Sequence, residues 1–191
     1  DTANINDFLV GYLEGVKYVD PEIKVATSYV GSFEDVSKCM EMTNQLYSQG
    51  AQIVYAPASQ SILGSVTAAQ NAGKYLISCD NDLYSDLVDS DPELAANILT
   101  SSLKNVGQSI YTSIKEWSEG TMSLDQDYIL GLDNGAVGLA KNDNYMANVP
   151  EDIQKFIDET EQKIINGEIT VGTAFDMTTE EVAALRDEMK Q

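Results

Sequence analysis

Histidine is missing from all 191 residues of the chain. Its absence removes the usual general base, the commonest nitrogen ligand for metals and every catalytic triad built on imidazole. Catalysis becomes a minority reading. Basic residues are scarce too: 11 Lys and Arg stand against 31 Asp and Glu, for a formal charge of −20 and a pI near 4.1. Nucleic acid and anionic membrane are repelled by such a surface, and no stretch gathers a local basic patch that would reverse this. There is no apolar run long enough to span a bilayer, and the first residues lack the charged and apolar regions of a signal peptide. A soluble, already processed segment is the expectation. Only two cysteines occur, Cys39 in a helical pattern and Cys79 at the end of an apolar run. With no zinc-like cluster around them they read as small buried hydrophobes, and a disulfide between them is unsupported.

What is present suffices for a core, because 43% of the residues are hydrophobic in a chain long enough for one domain or one lobe. The organising stretch is Val25 to Asp35, an apolar run that ends in a turn at Gly31 and opens into a helical pattern. Before it, Phe8, Leu9, Tyr12 and Val16 recur at helical spacing until Asp20-Pro21, where the residue before proline is pushed out of the helical region. Ile23 to Val30 is then expected as a strand. A helix follows with Val36, Cys39, Met40, Thr43 and Leu46 on one face, capped by Gly50. The same unit repeats as strand Gln52 to Ala56 with a helix bearing Ile62, Leu63, Val66 and Ala69 up to Gly73, then as strand Tyr75 to Cys79. Strand and helix alternating in this way predict a parallel sheet with right-handed crossovers.

Further on, Ile98 to Ser101 is expected as another strand. Leu103, Val106, Ile110, Ile114 and Trp117 mark a helix that ends at Gly120 and packs on the sheet. Asp133-Asn134-Gly135 between the apolar runs 128–132 and 136–139 predicts an antiparallel hairpin. Pro150 opens a helix with Ile153, Phe156, Ile157 and Ile164 on one side, Ile169 to Val171 reads as a short strand, and Thr178 with Glu181 forms a capping box ahead of Val182, Leu185 and Met189. The fold class expected is α/β, a parallel doubly wound sheet with a C-terminal antiparallel hairpin.

In such a sheet ligands bind in the crevice outside the carboxyl ends of the strands. Four positions converge there: Phe33, the loop at Ala58 and Ser59, Asp80 with Asp82, and Lys104. A phenyl ring on the rim of a crevice can stack a planar ligand, although an exposed Phe in a loop also serves partial packing. The Asp80 carboxylate accepts hydrogen bonds and matches two neighbouring sugar hydroxyls; its alternative is to cap the turn after the strand. Asp82 reads as a turn residue. Lys104 is placed in the first turn of a helix, where the dipole disfavours a cation, so it is either a solvated surface lysine or a group reaching toward Asp80. The carboxylates at 151–161 are a solvated helix face. A different class of function stays open, an acidic regulatory domain in which Asp80 and Asp82 hold a metal such as magnesium.

The succession Phe8-x-x-Gly11-Tyr12-x-x-Gly15-Val16, Ser28-Tyr29-Val30-Gly31-Ser32-Phe33, Asp80-Asn81-Asp82, Leu99-Thr100-Ser101-Ser102-Leu103-Lys104 and Gly131-Leu132-Asp133-Asn134-Gly135-Ala136-Val137-Gly138-Leu139 resembles the basic membrane protein family. These are substrate-binding lipoproteins of ABC importers, among them purine-nucleoside receptors. The likeness runs from near the start to about Val171. It implies a type I periplasmic-binding fold of two α/β lobes with a nucleoside between them, no catalysis and no cofactor. It also implies an ABC permease as partner and an extracytoplasmic, lipid-tethered location for the full-length protein. By the matching motifs Phe33 would stack on the base, Asp80 and Lys104 would hold ribose hydroxyls, and Ala58 and Ser59 would approach the ligand with backbone groups. Where the family loop is usually glycine-rich, Ala56-Pro57-Ala58-Ser59-Gln60 contains no glycine. Residues 1–191 resemble the C-terminal lobe alone, so a separate N-terminal lobe or a second copy of the chain is expected to cover a free sheet edge.

Overall fold

Helix caps written into the sequence set most of the element boundaries. The computed structural model describes residues 2–190. Helix α1 (Ala3–Val19) stops at Asp20 as the following proline requires. Helix α2 (Val36–Ser48) opens on Asp35, whose carboxylate accepts from Lys38 N at 2.9 Å. Strand β1 (Ile53–Tyr55) leads through a 3₁₀ turn at Ser59–Ser61 into α3 (Ile62–Ala72), closed by Gly73 in the left-handed conformation, φ 61°. After β2 (Tyr75–Asp80) come the short α4 (Leu83–Leu87), capped by Asp82, and α5 (Pro92–Ala95), capped by Asp91 with proline in its first turn. Strand β3 (Ile98–Lys104), α6 (Val106–Glu119), β4 (Val137–Leu139), α7 (Asp143–Asn148), α8 (Glu151–Ile165) and α9 (Thr179–Glu188) complete the chain. The capping box expected at Thr178 and Glu181 is present.

The four strands lie in the order β1-β2-β3-β4; the first three are parallel and β4 runs antiparallel to β3. Side chains alternate across the sheet. Val54, Leu76 and Ile98 turn to one face, where they meet Tyr47, Ile62, Val66 and Ala69 from α2 and α3. Leu76, Ile98 and Val66 have no exposed surface, and each contributes about 1.5–3 kcal/mol by leaving water. Tyr55 turns to the other face and stacks on Tyr12 of α1, ring centres 5.3 Å apart. Helices thus cover both faces of a largely parallel sheet. Helices α2 and α3 touch backbone to backbone at Gly64, where a β-carbon would lie 2.1 Å from Val36 O. Both cysteines are free and buried.

Several expectations fail, each for a local reason. Residues 23–30 form neither helix nor strand and pair with none of the sheet's four strands. Strand β3 runs on to Lys104, so Lys104 ends a strand and does not sit in the first turn of a helix; the dipole argument for it does not apply. The hairpin does not form. Gly131 to Gly135 is a turn, and 137–139 pairs with the free edge of β3, Lys104 opposite Val137. Helix α6 does not pack on the sheet: Asn105 N and Nδ2 are held by Ala136 O at 2.7 Å and Gly135 O at 2.9 Å, and the helix departs with Ile110, Ile114 and Trp117 more than half exposed. Helix α8 does open after Pro150 as expected, although none of its residues is buried. Residues 169–171 make no strand; the segment is instead fixed by Gly172 N donating to the Glu14 carboxylate at 2.7 Å.

Candidate functional site

The parallel strands and residues 23–30 end on one side of the sheet, and the candidate residues occupy those ends. Phe33 follows the turn at Gly31, φ 75°, and is 51% exposed. Its loop is stiffened by Ser32 Oγ, which accepts from Glu34 N and Asp35 N at 3.1 and 3.2 Å. Ala58 and Ser59 follow β1. Ser61, without exposed surface, ties these two loops together: its N–H donates to Phe33 O at 2.9 Å and its hydroxyl to Ala58 O at 2.7 Å, with Ser32 O also within 3.3 Å.

Asp80 ends β2 and Lys104 ends β3. The Lys104 ammonium lies 2.9 Å from Asp80 Oδ1, the two side chains being 59% and 38% exposed. That oxygen is shielded from water, and the Lys104 ammonium is its ion-pair partner. The hydrogen bond and charge of Asp80 hold the Lys104 amine above its ordinary pKa, so the ammonium is the neutral-pH form. On the other side of the carboxylate, the Cys79 thiol lies 3.6 Å from Asp80 Oδ2. Burial, reinforced by the Asp80 charge, pushes this thiol up to about 12, against a smaller opposing pull from the Ala58 and Ser59 amides.

Two residues other than glycine have positive φ among those described, Ser59 at 51° and Asp80 at 71°. Asp80 ends β2 and Ser59 opens the 3₁₀ turn after β1, and such strain clusters at functional positions. Asp82, by contrast, is fully engaged: its Oδ1 accepts from Asn142 Nδ2 at 2.7 Å and from Ser85 N, and its Oδ2 from Ser85 Oγ at 2.7 Å. No group of three His, Cys, Asp or Glu side chains that could hold a metal occurs among the described residues.

The structure places all five site residues read from the sequence, Phe33, Ala58, Ser59, Asp80 and Lys104, on this side of the sheet. It joins Phe33 to Ala58 through Ser61, and Asp80 to Lys104. Phe33 makes no contact with Asp80 or Lys104. A cavity of about 740 Å³ opens at Phe33 and Ala58 but runs away from Asp80 and Lys104, down between residues 23–30 and β1. Sequence reasoning missed Ser61 and Asn105, which hold the loops at the strand ends. Their signal was positional, a small polar residue immediately before a helix.

A doubly wound lobe with its polar groups gathered at the strand ends is the architecture of solute-binding proteins. An ABC transporter solute-binding protein from Aeropyrum pernix K1 shares the fold with a TM-score of 0.72 at 25% identity, matching 100% of this chain and 61% of that one. Residues 2–174 match the family described as ABC transporter substrate-binding protein PnrA-like, Bmp, and the chain belongs to that family. Basic membrane protein A2 of Borrelia garinii subsp. bavariensis is 34% identical over 171 residues, 87% of this chain and 48% of that protein. Basic membrane protein D of Borreliella burgdorferi is 32% identical over 170 residues with the same coverage of each. The chain spans about half the length of these curated relatives.

Proposed function

We propose that the chain is one ligand-gripping lobe, the C-terminal one, of a two-lobed solute receptor that serves an ABC importer, and that its ligand is a nucleoside. Phe33 stacks on the base, the Ala58 and Ser59 backbone approaches the ligand, and Asp80 with Lys104 holds the ribose hydroxyls. The observation that carries this reading is the Asp80–Lys104 pair. A carboxylate in a strained backbone conformation stands beside a cation at the strand ends, both side chains partly exposed. A diol donates two hydrogen bonds to such a carboxylate and accepts one from the ammonium. In the full-length protein the receptor is lipid-tethered outside the cytoplasm and delivers its ligand to a permease. One lobe supplies only part of a closing grip, so this chain alone binds nucleosides weakly or not measurably.

Calorimetric titration of the two-lobed protein with ribonucleosides and their 2′- and 3′-deoxy analogues tests the reading. Tighter binding of the ribonucleoside supports it; equal binding of the deoxy analogues removes the role given to Asp80 and Lys104. A magnesium reading for Asp80 and Asp82 has no observation in its favour, since the Asp82 carboxylate is occupied as the cap of α4.

A further inference from the structure

Helix α8 has the apolar spacing of a packed helix, with Ile153, Phe156, Ile157 and Ile164 on one side, yet none of its residues is buried. It is tied to its neighbours by Lys141 Nζ, which reaches Asp158 Oδ1 at 2.6 Å and Glu161 Oε2 at 2.5 Å, and by Phe156, whose ring stacks on Tyr18 with centres 6.5 Å apart. A cavity of about 620 Å³ remains between α1, α8 and the face of the sheet opposite α2 and α3. Ile77, Leu99 and Leu139 form its floor, and Phe8, Ile153 and Ile157 line its sides. Strand β3 is irregular at this floor: Leu76 pairs with Ile98 and Ile77 with Thr100, so Leu99 is an extra residue, and both Leu99 and Thr100 reach the wall.

Polar side chains in the wall are mostly committed to the protein. Asp7 Oδ1 accepts from Thr173 Oγ1 at 2.6 Å and from Ala174 N at 2.8 Å, Thr100 Oγ1 donates to Ala140 O at 2.8 Å, and Ser102 Oγ lies 2.8 Å from the Tyr55 hydroxyl. Tyr145, another wall residue, differs. It is 2% exposed, and its hydroxyl has no hydrogen-bond partner. Burial holds that hydroxyl above its ordinary pKa, so it is a protonated donor at neutral pH. A buried donor without an acceptor is costly, and a water would be poorly held here, since buried waters make about three hydrogen bonds each.

We propose that this cavity is a second ligand site, which takes an uncharged, mostly apolar small molecule whose one acceptor oxygen, a carbonyl or an ether, receives the Tyr145 hydroxyl. The size follows from the volume, which falls in the range of about 300–1,000 Å³ usual for small-molecule pockets. The apolar body follows from the walls, which give an ion nothing in exchange for its hydration. An anion is disfavoured further by the Asp7 carboxylate in the wall and by the net charge of −20. The single acceptor follows from Tyr145, the buried donor that the protein leaves unmatched. None of Phe33, Ala58, Ser59, Asp80 and Lys104 borders the cavity, so this site is separate from the one at the strand ends.

Two probes of one shape test the proposal: acetophenone, which carries a carbonyl, and α-methylstyrene, which has a methylene in its place. Each is titrated into the full-length protein while the isoleucine methyl signals are followed by NMR. Saturable shifts at Ile77, Ile153 and Ile157 are expected at roughly millimolar acetophenone, as suits so small a ligand. Tyr145→Phe is expected to weaken acetophenone about 3–10-fold, the net worth of one hydrogen bond, and to leave α-methylstyrene unchanged. Comparing each probe across the two proteins cancels the difference in their solubility. Absence of saturable shifts at these isoleucines overturns the proposal. So does acetophenone affinity that is unchanged in Tyr145→Phe, or that falls there equally with α-methylstyrene. Tighter binding of the ammonium analogue 1-phenylethylamine than of acetophenone overturns the assignment of an uncharged ligand. Neither nucleoside nor Asp80 enters this readout, so it stands or falls apart from the nucleoside assignment.

Discussion

Ser61→Ala isolates the one buried hydroxyl that joins the Phe33 loop to the Ala58 loop. Alanine keeps the backbone bond from residue 61 to Phe33 O and keeps the entry to α3, but removes the donor to Ala58 O at 2.7 Å and to Ser32 O at 3.3 Å. A buried hydrogen bond has a net value near 1 kcal/mol, and more when a carbonyl is left dry and unpaired. Ala58 is half-buried, so water reaches part of the orphaned carbonyl, and the expected loss is about 1–2 kcal/mol. With a urea m-value of about 2 kcal/mol/M the unfolding midpoint falls by about 0.5–1 M. Equilibrium urea denaturation followed by circular dichroism measures this, and calorimetry of the two-lobed protein measures nucleoside affinity, which should fall as the loops lose their fixed spacing. An unmoved midpoint would show that the hydroxyl carries no load. A lowered midpoint with unchanged affinity would show that the position of Phe33 is set elsewhere.

Phe33→Ala should weaken nucleoside binding by about 1–3 kcal/mol, by analogy with base–aromatic stacking, and leave the urea midpoint nearly unchanged because the ring is half exposed. Asp80→Asn and Lys104→Met should be strongly non-additive in nucleoside affinity, and additive losses in the double mutant would separate the two residues. The folded-state pKa of Lys104 is raised above 10.5, so what the pair contributes is complete below that value and is lost as pH rises through the higher folded one; affinity that fell between pH 7 and 9 would point to another group. Gly64→Ala places a methyl 2.1 Å from Val36 O, a backbone atom that no rotamer change can move, and should cost about 1–3 kcal/mol in denaturant unfolding.

The strand–helix alternation was legible because parallel strands buried on both faces leave apolar runs, and because Gly73 and Thr178 mark helix ends by local chemistry alone. The carboxyl ends of the strands were legible for the same reason, and with them Phe33, Ser59 and Asp80. What failed depended on distant partners. The hairpin signal at Asp133-Asn134-Gly135 yielded to β3, which runs three residues past Ser101 and offers 137–139 a ready edge. The extra length of β3 also moved Lys104 from a helix start to a strand end, which weakened the argument from the dipole but strengthened the pairing with Asp80. Helix α6 has the apolar spacing of a packed helix, and periodicity cannot say whether a partner surface is present; here Ile114 and Trp117 face solvent.

Backbone strain falls at two of the positions proposed to meet the ligand, Ser59 and Asp80. Asp tolerates the left-handed region better than most residues, because its short side chain bonds locally, but Ser59 has no such excuse and glycine would be easier at either position. Each such residue costs of order 1–3 kcal/mol and persists only where the surroundings over-determine it. The surroundings here do so. Ser61 braces the turn after Ser59, and Asp80 is held between Lys104 on one oxygen and the Cys79 thiol on the other. Glycine at 80 would relieve the backbone but remove the carboxylate that pairs with Lys104. A turn whose only task was to connect β2 to α4 would not need that carboxylate, since Asp82 alone caps the helix.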